Sequence, residues 1–323
     1  FGKFAKWVPI EIIKGLMVAI GIILLLKQIP HALGFNPDFE GDEEFLQPDG
    51  HNTFSEIYYS IKFHNIKAVI ISIVSLAAIL IWSKFSKLNK YADFIPAFLV
   101  GLLVGIACNQ LIIFHDLHPA YPDAVLVDIP VFKNPRHIVS FLSNPNFAAI
   151  GTGLVWVIAI QIALVGSVES LLSLQAADNI DPYKRKSSPN RELLAQGLGN
   201  ISAGLIGGLP VTSVVVRSSV NAAAGGKTKM SAIFHGLIIV VAVLFVPFVL
   251  NKIPLSALAA VLIVAGYRLA KPANFTITFK KGIFYFILFL CTVLGIIFTD
   301  VLIGVIFGLV VYVLLRYVFK KVD

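Results

Sequence analysis

The feature that most limits the possible folds of this chain is a series of apolar runs of about 18 residues or more, the length an α-helix needs to cross a bilayer. The sequence is 57% hydrophobic and 14% charged, whereas soluble domains carry about 25% charged residues. These proportions predict an all-α membrane protein with several spans. The predicted spans are 9–30, 66–83, 93–115, 148–175, 230–251, 282–298 and 300–319, with less regular ones at 193–209 and 254–270.

The connections between these runs alternate in charge. About 19 of the 26 lysine and arginine residues fall on one side, for example in the loop 176–192, while the opposite connection 31–65 is strongly acidic. Basic connections face the cytoplasm in most membrane proteins. We therefore expect a protein of the inner (plasma) membrane with its basic loops in the cytoplasm. The net charge of +8 reflects this topology, so no nucleic-acid partner is expected.

One apolar segment, 211–224, is too short to cross the bilayer. It follows the helix-breaking residues 207–210, and the alternation of charge holds only if this crossing begins part-way through the membrane. Non-helical backbone at that depth has to be buried in protein or line an aqueous cavity. We predict an extended stretch that leads to a half-helix starting near Thr212 or Ser213. The free N–H groups at such a helix start attract anions.

Two charged residues lie inside predicted spans instead of in loops or at helix ends. Arg217 is one turn into the half-helix, and Glu169 lies about two thirds along the span 148–175. Charges at this depth usually serve function, although a static salt bridge between the two is the alternative. Gln196 and Asn200, spaced i and i+4, either reach the same cavity or form hydrogen bonds between helices.

The first span and the span at 254–270 share a pattern. Each begins at a proline and carries a glycine twelve residues later, over Pro9–Gly21 and Pro254–Gly266. By the predicted topology the two run in opposite directions, as inverted repeats of secondary transporters do. Glu11 and Lys14, spaced i and i+3, are expected to form an ion pair with each other.

Several motifs of this chain resemble those of the sulfate permease family of anion transporters. They include Gly166–Ser173, Gln196–Asn200, the run from Gly207 to Ser213, Arg217-Ser218 and Gly225–Thr228. The resemblance extends over nearly the whole chain. It implies a polytopic fold of the anion-exchanger and uracil-permease type, with fourteen segments in two inverted repeats of seven.

On that scheme the chain holds helices 5 to 14 of the fold. Residues 1–147 are the end of the first repeat, mostly the gate, and residues 148–323 are the second repeat. The resemblance thus implies that the family's four earlier helices and its cytoplasmic STAS domain lie outside this sequence. We expect the intact protein to be a homodimer in the lipid bilayer.

The resemblance also implies site residues. A small inorganic anion would lie at the start of the half-helix, and a coupling ion near the acidic residue of helix 8. Sodium-dependent bicarbonate members carry Asp and Thr in place of Glu169 and Ser173, which favours proton coupling or exchange here. The expected substrate-binding residues are Thr212, Ser213, Val214, Val216 and Arg217, and the expected coupling residues are Glu169 and Ser173.

These expectations describe a secondary active transporter of sulfate or bicarbonate that works by an elevator-type movement and needs no cofactor. A nucleobase permease of the same fold and a channel-like or voltage-responsive protein are the alternatives. A nucleobase permease has less use for Arg217, and a channel would conduct faster than a carrier turns over. An enzyme is not expected, because the sequence shows no nucleophile–base constellation and no metal-ligand spacing.

Overall fold

The computed structural model describes residues 9–36, 45, 52–86, 95–115, 123–131, 145–214, 217–218, 221–222, 224–299 and 301–319. In these ranges the regular structure is helical, apart from isolated bridge residues, among them an antiparallel bridge between Leu126 and Pro254. The α-helices are α1 Ile10–Ala32, α2 Thr53–Lys62, α3 Ile66–Ser86, α4 Ala97–Phe114, α5 Gly153–Ile180, α6 Pro189–Leu205, α7 Met230–Phe245, α8 Pro247–Leu250, α9 Leu255–Ala270, α10 Ala273–Lys281, α11 Ile283–Phe298 and α12 Val301–Phe319. A 3-10 helix, Phe147–Gly151, precedes α5.

The predicted spans correspond to helices with shifted ends. Four helical segments of the described chain are long and apolar enough to cross a membrane: Ile66–Phe85, Ala97–Phe114, Gly153–Ile180 and Leu255–Lys281. Three shorter apolar helices lie at Met230–Phe245, Ile283–Phe298 and Ile303–Tyr317. The run predicted at 230–251 divides at Val246, because Pro247 lacks the N–H that would continue the helix.

The connection 31–65 contains a helix, α2, which the charge pattern did not predict. Asn52 caps it by accepting hydrogen bonds from the backbone of Phe54 and Ser55. Its polar residues Glu56 and Ser60 are buried, and an aromatic residue, Tyr58, is 65% exposed. The helix therefore presents its apolar side outward and its polar side to the protein.

The main apolar core joins helices that are far apart in the sequence. α1 packs against α9 and α11, and α11 packs against α12, so aliphatic side chains interdigitate among them. Phe275 and Phe289 add an edge-to-face ring contact at 5.1 Å between centroids. The buried residues of this core include Ile12, Leu16, Val18, Leu172, Ala176, Leu269, Leu288, Phe289, Val293, Ile296 and Val305.

The two proline-to-glycine patterns meet at one crossing point. Pro9 and Pro254 stand directly before the first helical residues of α1 and α9. A Cβ added to Gly21 would lie 2.8 Å from the carbonyl oxygen of Gly266, and one added to Gly266 would lie 2.8 Å from that of Gly21. Backbones approach this closely only where side chains are missing. Corresponding positions of the two patterns are therefore in direct contact.

The expected Glu11–Lys14 ion pair is wrong. Glu11 is 3% exposed and accepts a hydrogen bond from Nζ of Lys281, at the end of α10. A buried carboxylate needs a cation that reaches it inside the fold. The packing of α10 near the start of α1 brings Lys281 there, so a tertiary contact replaces the local one.

The glycine contact gives a stability prediction. In Gly21→Ala the new Cβ would lie 2.5 Å from the amide nitrogen of Ala270, so α1 and α9 must separate, at a cost of about 1–3 kcal/mol. Gly236→Ala in α7 is the matched control, because nothing lies within 4 Å of its added Cβ. Thermal unfolding in detergent should show a lower midpoint for Gly21→Ala alone. An unchanged midpoint would contradict the close crossing.

Candidate functional site

The candidate site begins where α6 stops. Gly207 has a φ of 80°, a left-handed conformation that glycine adopts without strain. The amide of Gly208 donates back to the carbonyl of Ala203 at 2.8 Å, which closes the last turn as C-terminal glycine caps do. Pro210 follows and cannot resume a helix. The chain therefore leaves α6 as a non-helical stretch, 208–214.

The backbone of this stretch is held by the amide side chains of α6. Nδ2 of Asn200 donates to the carbonyl of Val211 at 3.0 Å, and Oδ1 of Asn200 accepts from the amide of Val211 at 2.7 Å. Nε2 of Gln196, one turn earlier, donates to the same carbonyl. Of the two roles predicted for Gln196 and Asn200, the structure shows hydrogen bonding, and the partner is the backbone of the non-helical stretch.

Ser213 connects the stretch to both neighbouring helices. Its amide donates to Oγ of Ser170 on α5 at 3.4 Å, and its hydroxyl donates to Oε1 of Glu192 on α6 at 2.7 Å. Thr212 lies against the glycine face of α5, since a Cβ added to Gly166 would be 3.4 Å from its Cγ2. Both α5 and α6 therefore position Ser213, and α5 also contacts Thr212.

The half-helix begins later than predicted. Residues 211–214 are not helical, whereas Arg217 and Ser218 are. The amide of Ser218 donates to the carbonyl of Val214 at 3.4 Å, so the helix starts after Val214 instead of at Thr212 or Ser213. The hydroxyl of Ser213 donates to Glu192, which explains why Ser213 stays in the extended part. Val216 lies outside the described residues.

The two predicted intramembrane charges lie on neighbouring elements. Arg217 is exposed on the half-helix and Glu169 is partly buried on α5. In the part of the chain that the structure describes, no salt bridge joins them, so the alternative of a static pair is not observed. Ser170 and Ser173 on α5 are buried, at 0% and 6% exposure. The structure thus places Ser173 one turn beyond Glu169 on the same helix.

Glu192 is the residue of this site that sequence reasoning missed. It lies in the first turn of α6, where acidic residues are common because they interact favourably with the helix dipole. The position of Glu192 in a first helical turn therefore does not by itself indicate its contact with Ser213. The available signal was its position four residues before Gln196, which places it on the α6 face that carries the two amides.

A cluster in the connection between α5 and α6 anchors the end of the half-helix region. Arg185 binds both carboxylate oxygens of Asp181, at 2.8 and 2.9 Å, and its Nη1 donates to the carbonyl of Lys227 at 2.5 Å. The side-chain hydrogen bonds from Arg185 hold the pKa of Asp181 well below its usual range. This loop is thereby tied to the turn that follows the half-helix.

The residue types of the site suit anion binding and contain no metal-binding set. Among the residues described, no group of three or more His, Cys, Asp or Glu could hold a metal ion. The site combines a helix start, the hydroxyl groups of Thr212 and Ser213, and the guanidinium of Arg217 on the half-helix.

Comparison with protein families agrees with a site for anions. A profile of the Sulfate permease family matches residues 1–293.

The chain belongs to the sulfate permease family. Among its relatives is the putative sulfate transporter YvdB of Bacillus subtilis, 28% identical over 321 residues, which cover 98% of this chain and 55% of YvdB. The bicarbonate transporter BicA of Synechocystis is 27% identical over 265 residues, 82% of this chain and 42% of BicA. The chain spans about half the length of these two relatives.

Solved structures of the sulfate permease family share the fold. The structure of SLC26A9 matches 98% of this chain and 47% of its own, with a TM-score of 0.71 and 17% identity. The transmembrane domain of the cyanobacterial BicA matches 97% of this chain and 70% of its own, with a TM-score of 0.59 and 22% identity. The predicted all-α transporter fold is confirmed, and the family is one of transporters, not of enzymes.

The hydrogen bonds of Asn200 give a prediction that is independent of transport. Asn200→Leu keeps the size of the side chain and removes both hydrogen bonds of Asn200 to Val211, so the N–H of Val211 loses its partner and the C=O keeps only the bond from Gln196. A hydrogen bond of this kind contributes about 0.5–1.5 kcal/mol. Amide exchange over 208–214 should become about tenfold faster or more. Ser202→Ala is the control, because its hydroxyl bonds only within α6, to the carbonyl of Leu198. Equal exchange in the two variants would contradict the role of Asn200.

Proposed function

We propose that this chain is the anion-binding part of a secondary active transporter of small inorganic anions, with sulfate or bicarbonate as substrate. The observation that carries the proposal is the non-helical stretch 208–214, fixed by α5 and α6 and followed by a half-helix with Arg217 near its start. The two relatives, a putative sulfate transporter and a bicarbonate transporter, support this substrate class.

The anion would be held mainly by backbone. The first N–H groups of a helix have no partner within it, and the helix dipole adds a positive field at that end. Val214 is the last described residue of the non-helical stretch, so the proposed anion position is at the helix start that follows it, beside Thr212 and Ser213. Arg217, one turn further, supplies a full positive charge. Val216 belongs to this proposed set by its position in the sequence.

The proposed coupling group is Glu169, with Ser173 beside it on α5. A bare carboxylate at membrane depth is costly and is stabilised when it binds a proton or a cation. Because Glu169 and Arg217 are not joined as a salt bridge in this structure, each can respond to an ion of its own. We propose proton coupling or exchange, as opposed to sodium coupling.

The proposed movement is of the elevator type. The apolar core around α1, α9, α11 and α12 would act as the gate, and α5, α6 and the half-helix as the carrier part. The division at residue 147 into two inverted repeats is part of this proposal. So are the homodimer, the location in the plasma membrane and the cytoplasmic position of the basic loops.

The first test is the uptake of radiolabelled sulfate and bicarbonate by the intact protein in liposomes. Arg217→Ala should reduce uptake at least about tenfold, because the charge that balances the anion is lost, and Arg217→Lys should retain part of it. Both variants should insert and purify like the wild type. Undiminished uptake by Arg217→Ala would contradict the assignment, as would uptake of uracil in place of either anion.

The second test addresses coupling. Glu169→Gln carries no titratable proton, so the dependence of transport on external pH should flatten, while the response to sodium stays as in the wild type. Ser173→Ala should have the weaker effect of the two. The measurement is the initial uptake rate, with pH and sodium varied independently. A wild-type pH profile in Glu169→Gln would exclude it as the coupling group.

A further inference from the structure

The contact between Glu192 and Ser213 places a second carboxylate at the candidate site. Glu192 accepts a hydrogen bond from the hydroxyl of Ser213 at 2.7 Å. Ser213 directly precedes Val214, whose carbonyl accepts the hydrogen bond from the amide of Ser218 in the half-helix. The amide of Ser213 is meanwhile directed to Ser170. In this structure, the Ser213 hydroxyl beside the proposed anion site therefore donates its hydrogen bond to the Glu192 carboxylate and not to an anion.

We propose that Glu192 is a proton-binding site whose occupancy decides whether the Ser213 hydroxyl is available to a bound anion. This inference rests on the proposed function and deepens it. An ionised carboxylate only accepts hydrogen bonds, so the hydroxyl of Ser213 has to point at it. A protonated Glu192 can donate to Oγ of Ser213, and the hydroxyl proton is then free to turn toward the anion.

Charge acts in the same direction as the hydrogen bond. An ionised Glu192 places a negative charge one hydrogen bond from the half-helix start, and this charge repels an incoming anion. A proton on Glu192 removes the repulsion and releases the donor together. Proton binding therefore favours anion binding, and by linkage the bound anion favours proton uptake at Glu192.

The surroundings leave Glu192 able to exchange protons with water. It is partly exposed, in the first turn of α6, directly after the exposed stretch 182–188. In the described part of the chain, no salt bridge holds it. The charged groups on α6 and on the elements next to it are Arg191 on α6, Glu169 and Asp178 on α5, Arg217 on the half-helix, and Asp181, Lys184, Arg185 and Lys186 in the preceding loop.

Two of these neighbouring acids are already engaged elsewhere. Asp178 accepts hydrogen bonds from the amide and hydroxyl of Ser187, at 3.0 and 2.7 Å, and Asp181 is bound by Arg185. Among the hydrogen bonds of the described residues, Glu192 is the acid near α6 that bonds to the non-helical stretch. The proton it binds is therefore the one that acts on Ser213.

The test measures sulfate affinity of the intact transporter as a function of pH. In the wild type, affinity should fall as the pH rises, because Glu192 loses its proton. Glu192→Gln keeps an amide donor for Oγ of Ser213 and thus mimics the protonated form. It should bind sulfate about fivefold or more tightly than the wild type at high pH, with a flatter profile. Asp178→Asn is the matched control and should keep the wild-type profile.

The hydroxyl itself is tested in a second background. In Ser213→Ala, adding Glu192→Gln should change sulfate affinity less than it does in the wild type, because the donor to be released is missing. Ser213→Thr keeps the hydroxyl and should keep the pH dependence, a comparison that needs no change at Glu192. If Glu192→Gln does not fold, the comparison of Ser213→Ala with Ser213→Thr tests the role of the hydroxyl.

Two results would overturn the inference. One is a wild-type pH profile in Glu192→Gln; the other is an effect of Glu192→Gln that is equally large with and without the Ser213 hydroxyl. Failure of the wild type to bind sulfate or bicarbonate at any pH is a separate outcome, which overturns the proposed function itself. Glu169→Gln, measured in parallel, separates its contribution to the pH profile from that of Glu192.

Discussion

The structure depends on how the backbone of 208–214 is satisfied where the helix is broken. Lipid offers no partner for N–H and C=O groups, so a membrane protein can unwind only where its own side chains replace the missing helical hydrogen bonds. Asn200 does this for both polar groups of Val211, and Ser170 does it for the amide of Ser213. In the proposed function, the anion binds where these residues fix the break, beside Thr212 and Ser213.

The two parts of the described chain are built by different physical means. Around α1, α9, α11 and α12 the packing is apolar, and glycines at positions 21 and 266 let two helices approach to backbone contact. α5 contributes Leu172 and Ala176 to this core, whereas the non-helical stretch beside α5 and α6 is held by hydrogen bonds of polar side chains. Apolar packing suits a rigid scaffold, whereas hydrogen bonds to a carboxylate can rearrange when a proton binds. This difference supports the proposed roles of gate and carrier.

The sequence was sufficient for the features that depend on local chemistry. Apolar run length located the helices, and Gly207 with Pro210 located the break, because both signals act within one or two helical turns. The family motifs then placed Arg217 and Glu169 on neighbouring elements. The half-helix starts one or two residues later than predicted, because the contacts of Ser213 with α5 and α6 outweigh the preference of serine for capping a helix.

Features that depend on tertiary contacts could not be predicted in this way. Glu11 pairs with a lysine 270 residues away, and no spacing rule reaches that far. The spacing of Glu192, four residues before Gln196, places it on the α6 face that carries the two amides, but it does not identify Ser213 as the partner. The helix α2 was obscured by the acidic residues around it. For Glu11 and Glu192, the deciding partner is brought close by packing alone.

The most direct test of the central claim is to locate a bound anion in the intact protein. Crystals soaked in selenate, which has the shape and charge of sulfate and a strong anomalous signal, would show where the anion lies. We predict an anomalous peak within hydrogen-bonding distance of the amides that follow Val214, with the Asn200–Val211 pairing intact. A peak elsewhere, with this helix start empty at saturating selenate, would contradict the account.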